Sequence, residues 1–304
     1  MQQWLAFLVI SSLYFIKYNA NNKEFIMREF EYVAPKTVKE AINILGSYKE
    51  KATVLAGGTD VVIRLRDEII DPEFIVDIKH IDELKGIKFD KKEGLYVGAL
   101  ATMHEIENDK YVKEFYPYYG KACGHVGSKQ VRNKATSIGN LCTASPLGDS
   151  LTPMFCLDAT VVIEGPKGKR EVPVREFITF VRKTVLERDE IVLGVKMPYI
   201  EGLKGIYTKN ARRHEVDLSN IVATICKVND EYRIAYGSVA PTPIRLVKTE
   251  EFLKCKTIND KMIEEAKAIL VSEISPITDL RATKEYRISV SQSILENSLK
   301  ALNS

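Results

Sequence analysis

Apolar residues at two spacings divide the chain into helices and strands. Val38, Ala41, Ile42, Leu45 and Tyr48 recur on one helical face, and Thr37-Val38-Lys39-Glu40 ahead of them has the form of a capping box. Phe30 to Pro35 reads as a short edge strand stopped by proline. Thr53-Val54-Leu55 and Phe74 to Ile78 are short apolar runs of strand type, and Gly57-Gly58 separates the first from the apolar Val61-Val62-Ile63. The order strand, helix, strand, glycine turn, helix, strand predicts a βαβ-type lobe that ends near Lys79.

The middle of the chain mixes the two periods. Leu95 to Ala99 predicts a strand. Thr102 to Glu105 is a second capping box, with His104 in the first helical turn as a structural residue. Tyr111 to Val126 has helical spacing broken at Pro117. Lys129 to Asp149 shows neither period and is dense in Gly, Asn, Ser and Thr, so it predicts a long functional loop. Ala159 to Glu164 and Lys169 to Val174 flank a Gly-Pro-Lys-Gly turn and predict a hairpin, and Glu190 to Val195 adds a strand. Ile221 to Val228 and Tyr232 to Val239 pair across Asn229-Asp230-Glu231. Two or three helices close the chain, Ala282 to Leu302 being the longest.

Composition narrows the class. The 304 residues are 45% hydrophobic and 28% charged, as in an ordinary globular protein large enough for several cores. The net charge of +3 comes from interspersed acids and bases, with no footprint for nucleic acid. Cys123, Cys142, Cys156, Cys226 and Cys255 are scattered, without C-x-x-C spacing. This predicts reduced thiols in a cytoplasmic protein and no metal or iron–sulfur cluster held by this chain alone. Trp4 to Ile16 is an uncharged apolar run, short for a bilayer span and without basic residues ahead of it. Residues 1–26 are expected to stand outside the mature fold, whose pattern begins at Met27, with no stable membrane insertion.

Two stretches carry candidate chemistry. Val54 to Val61, with Gly57-Gly58 between a strand and a helix, lets backbone N–H groups approach a ligand closely, and an anion such as phosphate suits that place. A plain strand-to-helix turn capped by Thr59 or Asp60 is the other reading. Gln130 to Asp149 gathers hydroxyls, amides and small residues able to offer donors to phosphate or ring oxygens. Asp149 can accept from a ribose or a flavin N–H, or satisfy loop amides.

Leu55-Ala56-Gly57-Gly58-Thr59-Asp60, Gln130-Val131-Arg132-Asn133 with Ala135-Thr136 and Gly139-Asn140, Ala144-Ser145-Pro146 with Asp149, Asp189 to Val192, and Val239 to Arg245 occur in that order. In these motifs the chain resembles the flavin-binding medium subunits of the molybdenum hydroxylases, nearest to the bacterial xanthine dehydrogenase type. The resemblance implies an α+β fold: a vanillyl-alcohol-oxidase (PCMH) type FAD-binding domain over 27–200, with a small lobe over 27–80 and a larger one over 81–200. A C-terminal domain of the CO dehydrogenase flavoprotein type over 201–304 follows.

It also implies FAD contacts from Val54, Leu55, Ala56, Gly57, Gly58, Thr59, Asp60 and Val61, with the diphosphate on this turn. Thr136, Ser137, Ile138, Gly139, Asn140, Asp149, Val192 and Lys209 complete the implied set. Lys209 is a cation that favours reduced flavin. Two positions depart from the pattern. Ile138 stands where the family usually has glycine, and Val97 stands where eukaryotic relatives have a stacking aromatic.

The implied activity is electron relay. A large molybdopterin subunit oxidises the substrate, 2Fe–2S clusters on a small subunit carry electrons to FAD here, and NAD or another acceptor receives them. Xanthine dehydrogenase is the leading expectation. Nicotinate, aldehyde, CO or aromatic acyl-CoA complexes, or a flavin-less assembly subunit, are the alternatives.

Overall fold

The computed structural model describes residues 29–213 and 216–304, together with the backbone of a small strand pair, Ile16–Lys17 with Phe25–Ile26. The rest of the expected apolar leader lies outside the described residues. No helix among the described residues is long and apolar enough to cross a membrane.

The small lobe has the predicted order: β1 (Glu31–Val33), α1 (Val38–Tyr48), β2 (Ala52–Leu55), α2 (Val61–Arg66) and β3 (Phe74–Asp77). The strands form a parallel three-stranded sheet in the order β1-β3-β2, so β1 is an edge, as its proline stop requires. α1 buries Val38, Ala41, Ile42 and Leu45, the face read from the pattern. Its capping box is half formed. Thr37 accepts from the Glu40 N–H at 3.1 Å, but the Glu40 carboxylate takes the Lys36 N–H at 2.8 Å rather than that of Thr37.

The large lobe opens with β4 (Ile87–Asp90) and β5 (Gly94–Gly98). Six short helices follow: α3 (Met103–Asn108), α4 (Lys110–Phe115), α5 (Pro117–Gly124), α6 (Lys129–Arg132), α7 (Ser137–Thr143) and α8 (Leu151–Cys156). Then come β6 (Thr160–Gly165), β7 (Gly168–Pro173), α9 (Val174–Phe177), the hairpin β8 (Ile178–Phe180) with β9 (Lys183–Thr184), and β10 (Ile191–Met197). The sheet runs β4-β5-β10-β6-β7, antiparallel throughout.

The capping box at Thr102 is complete, and Pro117 occupies the first position of α5. The stretch 129–149 departs from the loop expectation. It holds α6 and α7, started by Ser128 and Thr136, whose hydroxyls accept from the Val131 and Gly139 N–H groups at 3.3 and 2.9 Å. Helices of four and seven residues are too short to show a period.

The C-terminal part is a meander, β11 (Lys204–Asn210), β12 (Ile221–Val228), β13 (Glu231–Gly237) and β14 (Ile244–Arg245), backed by α10 (Val247–Leu253), α11 (Asp260–Glu273) and α12 (Lys284–Asn303). Period-two alternation explains why β12 is buried on both faces over Ile221 to Cys226. Ile221, Ala223 and Ile225 face the C-terminal helices, while Val222 and Cys226 join the core of the large lobe.

Arg245 is bolted into this junction. It forks onto Glu250 with both bonds at 2.6 Å, reaches the Phe155 and Cys156 carbonyls at 3.2 and 3.3 Å, and pairs with Asp158 at 3.1 Å. Its side chain is 8% exposed and that of Glu250 12%. Removing one partner strands a buried charge, so Arg245→Met is expected to cost about 3–5 kcal/mol in urea unfolding. Adding Glu250→Gln removes that charge but keeps an acceptor for the Ile234 N–H, and is expected to recover about half of the loss.

Candidate functional site

The two lobes meet through bare backbone. At Gly57 a Cβ would sit 2.0 Å from the Lys134 carbonyl oxygen and 3.1 Å from the Ala135 Cα, so only glycine lets the small-lobe turn seat on the large lobe. Lys134 and Ala135 are themselves fixed. Their N–H groups return to the Val131 carbonyl at 3.0 and 2.7 Å, the Ala135 carbonyl accepts from Met103 at 2.8 Å, and Thr136 bridges to Thr102.

Gly58 has a different reason to be glycine. Its φ is +76°, and a Cβ would meet only Leu55 and Val62 side chains, at 3.2 and 3.5 Å. The turn's hydrogen bonds run through its carbonyls: Gly58 and Asp60 accept from the Val62 and Arg64 N–H groups, at 3.0 Å each. Among the described residues the N–H groups of Gly57, Gly58, Thr59 and Asp60 have no protein acceptor. The helix that follows has only six residues. Whatever capacity the turn has for an anion therefore lies in these open donors rather than in a helix dipole. Asp60 holds the N-cap position of α2, as the plain-turn reading expects, but its side chain makes no capping bond.

A cleft of about 370 Å³ opens beside the turn. Val54, Ala56 to Val61 and Arg64 line one wall; Thr136, Ile138, Gly139 and Asn140 line a second; Leu186 and Glu190 to Val192 line a third. Thr136 caps α7, and a Cβ on Gly139 would lie 2.7 Å from the Thr136 Oγ1, so the wall packs without a side chain there. Asn140 Oδ1 accepts from Ser150 at 2.9 Å, which leaves its amide N–H groups for the cleft. Ile138 touches the cleft but is 2% exposed, its side chain absorbed by the large-lobe core. Val192 lies at a register shift between β10 and β6 and lines the cleft. The Glu190 carboxyl is held below its ordinary range, chiefly by its bonds to Arg170 at 2.7 Å, and it also accepts the Glu187 N–H. Glu190 thus fixes the third wall.

Four expected contacts are not on the cleft wall. Leu55 is absent from it. Ser137 is fully buried, bonded to the Tyr119 and Ser150 hydroxyls at 2.8 and 3.3 Å. Asp149 and Lys209 meet each other at 2.7 Å, both side chains under 10% exposed. Ser219 also donates to Asp149, and Lys209 donates to the His125 carbonyl at 2.9 Å. Burial raises the Asp149 carboxyl above its ordinary range even with Lys209 opposing it. Val97 is wholly buried within β5 and has no part in the wall. The cleft also recruits Thr53, Arg64, Met103 and Val126, which were not among the expected cofactor contacts. Arg64 had a signal in the sequence, being four residues after Asp60 in a helical run.

The sequence profile of the FAD binding domain in molybdopterin dehydrogenase matches residues 28–200, and that of the CO dehydrogenase flavoprotein C-terminal domain matches 207–302. The xanthine dehydrogenase FAD-binding subunit of Escherichia coli O157:H7 is 33% identical over 270 residues, covering 86% of this chain and 92% of that one. The nicotinate dehydrogenase FAD-subunit of Eubacterium barkeri is also 33% identical, over 273 residues, with coverage of 86% and 92%. A solved chain of carbon monoxide dehydrogenase from Hydrogenophaga pseudoflava superposes with a TM-score of 0.86 at 28% identity, covering 91% of this chain and 98% of that one. The glycine turn and the two-part architecture thus have a common explanation: the chain belongs to the FAD-binding, or medium, subunits of the molybdenum hydroxylase family.

Proposed function

We propose that this chain holds FAD in the cleft between its lobes and serves as the electron-transfer subunit of a molybdenum hydroxylase complex, of the xanthine dehydrogenase type. The observation that carries the reading is the row of unspent N–H groups from Gly57 to Asp60, on residues that line a cleft walled also by Thr136, Ile138, Gly139 and Asn140. Donors of this kind, without side chains between them, suit the oxygens of a diphosphate. Thr136 and Asn140 offer further donors from the opposite wall. Ala99, Met103, Ile191 and Val192 give the cleft apolar surface against which a flat ring is shielded from water. Bound FAD supplies two-electron redox chemistry, with single electrons from iron–sulfur clusters on one side and a hydride to NAD or another acceptor on the other.

Asp149 and Lys209 act from outside the cleft wall. Their pair ties β11 to the loop ahead of α8, and so sets the C-terminal sheet against the FAD domain. The relatives are named as subunits or medium chains, which supports partners here: a large molybdopterin subunit and a small 2Fe–2S subunit. A cytoplasmic location accords with five unpaired cysteines. Equal identity to the nicotinate dehydrogenase subunit favours nicotinate as the second reading of the substrate.

Purified from its native complex, the chain is expected to release about one FAD per chain on acid treatment, alongside a molybdopterin subunit and a cysteine-rich one. A colourless, folded chain that takes up no added FAD would overturn the assignment. Among purines and N-heterocycles, xanthine is expected to be the preferred substrate of that complex; preference for nicotinate would install the second reading.

The two glycines are expected to differ. Gly57→Ala drives a methyl into the Lys134 carbonyl and should abolish FAD retention. Gly58→Ala meets only side chains and should cost about 1–2 kcal/mol of local strain while keeping part of the flavin. Flavin absorbance per protein after gel filtration reads both, and equal flavin content in the two variants would count against this picture of the junction.

A further inference from the structure

We propose that Arg64 and Arg182 form a cationic clasp on the diphosphate end of the cleft, and that Arg182 sets how fast the dinucleotide leaves. The inference rests on the assignment of the cleft to FAD and adds residues that neither the glycine turn nor the opposite wall supplies.

Arg182 occupies the tip of the β8–β9 hairpin. Its φ of +59° is in the left-handed region, where a side chain costs about 1–2 kcal/mol relative to glycine. Its N–H is tied to the Ala144 carbonyl at 2.9 Å, and Ala144 is the left-handed cap that ends α7. The tip is therefore anchored to the helix that builds the second wall. From there the guanidinium crosses to the small lobe. One nitrogen, Nη1, donates to both Asp60 carboxylate oxygens, at 3.1 and 3.2 Å. Arg64, one turn into α2, approaches the same carboxylate at 3.9 Å and itself lines the cleft.

Charge and donor counts give this arrangement its direction. Asp60 alone would set a negative charge beside the open N–H groups and repel a diphosphate. With one positive charge each, Arg64 and Arg182 turn the lip net positive. Glu190, the other acid on the wall, is already neutralised by Arg170 at 2.7 Å. Arg182 spends only Nη1 on Asp60, so Nε and Nη2 remain, and Arg64 makes no hydrogen bond through its guanidinium among the described residues. A guanidinium with spare donors is the side chain best matched to phosphate oxygens.

Topology makes Arg182 the clasp rather than a second Arg64. It comes from the large lobe and Asp60 from the small one, with 122 positions between them, so their bond ties the lobes together at Asp60, which lines the cleft, while Arg182 itself stands outside the lining. The pair is exposed, at 45% and 36%, and exposed pairs add little to folding stability. Its effect is therefore expected on the cofactor and not on the fold.

FAD release from the full-length chain, followed by recovery of flavin fluorescence after dilution, tests this at low and high salt. Arg182→Gln is expected to release FAD about tenfold faster at low salt, the scale of one charge-assisted hydrogen bond. Wild-type release should quicken with salt and that of the variant should barely change. Arg182→Lys should recover much of the retention, and Arg64→Gln should weaken equilibrium binding. Lys183→Gln removes the same charge one residue away and should behave as wild type. Wild-type release rates in Arg182→Gln, or an equal effect from Lys183→Gln, would overturn the clasp. If Arg182→Gln fails to fold, as judged by thermal unfolding of the flavin-free chain, the claim of a cofactor role without a fold role falls too. Failure of the wild-type chain to take up FAD is a separate result and removes the cleft assignment itself.

Discussion

The contact between the Gly57 backbone and the Lys134 carbonyl is the constraint on which the rest of the site depends. Two lobes of different construction, one parallel sheet and one antiparallel, have to be held at a separation that leaves a cleft and no more. Side chains at the junction would make that separation depend on rotamers. Backbone against backbone fixes it, because a gap that excludes a single methyl cannot drift far without losing the contact. The N–H groups of the turn, on residues that line the cleft, are unspent for the same reason. The turn is held by its carbonyls, which accept from α2, and by its seat on the large lobe, so its donors are left over.

The C-terminal sheet is joined by a different principle. Arg245 with Glu250 and Asp158, and Lys209 with Asp149, are charges removed from water at the seam. Buried pairs of this kind return little net stability, since desolvation offsets attraction. They are unforgiving of misplacement, however, because a slip of the sheet would strand a charge. β12 supplies the adhesion by burying both of its faces, and the ion pairs fix where that adhesion is allowed.

Much of this was legible in the sequence, and the pattern of what was not has physical causes. The small lobe could be read element by element, since its helix and strands are long enough to show a period. The glycine turn was legible as a special place, but not its reason. Gly57 was expected to make room for a ligand, and in the structure it makes room for Lys134, a carbonyl from a segment distant in the chain. Ser137 looked like a donor among donors, and its neighbours Tyr119 and Ser150 claim it. Asp149 and Lys209 were each marked from the family pattern as separate contacts, and no local spacing could reveal that they neutralise each other. Arg182 carried no signal, because the hairpin that delivers it is too short to be read, and its partner lies in the other lobe.

On the proposed function, the division of labour in the chain also explains its relatives. Every feature of the cleft concerns a dinucleotide: donors for a diphosphate, an apolar wall for a ring, arginines at the lip. None of it concerns a substrate, which on that proposal is oxidised on another subunit. A scaffold under those demands alone should look equally like subunits that serve different substrates. The identity of 33% to both the xanthine and the nicotinate dehydrogenase subunits has that form. What distinguishes one such subunit from another then falls to the residues that tune retention of the cofactor and contact with partners. On the proposed clasp, Arg182 is of the first kind: a side chain in a conformation that favours glycine, kept at a hairpin tip from which it reaches Asp60 on the other lobe.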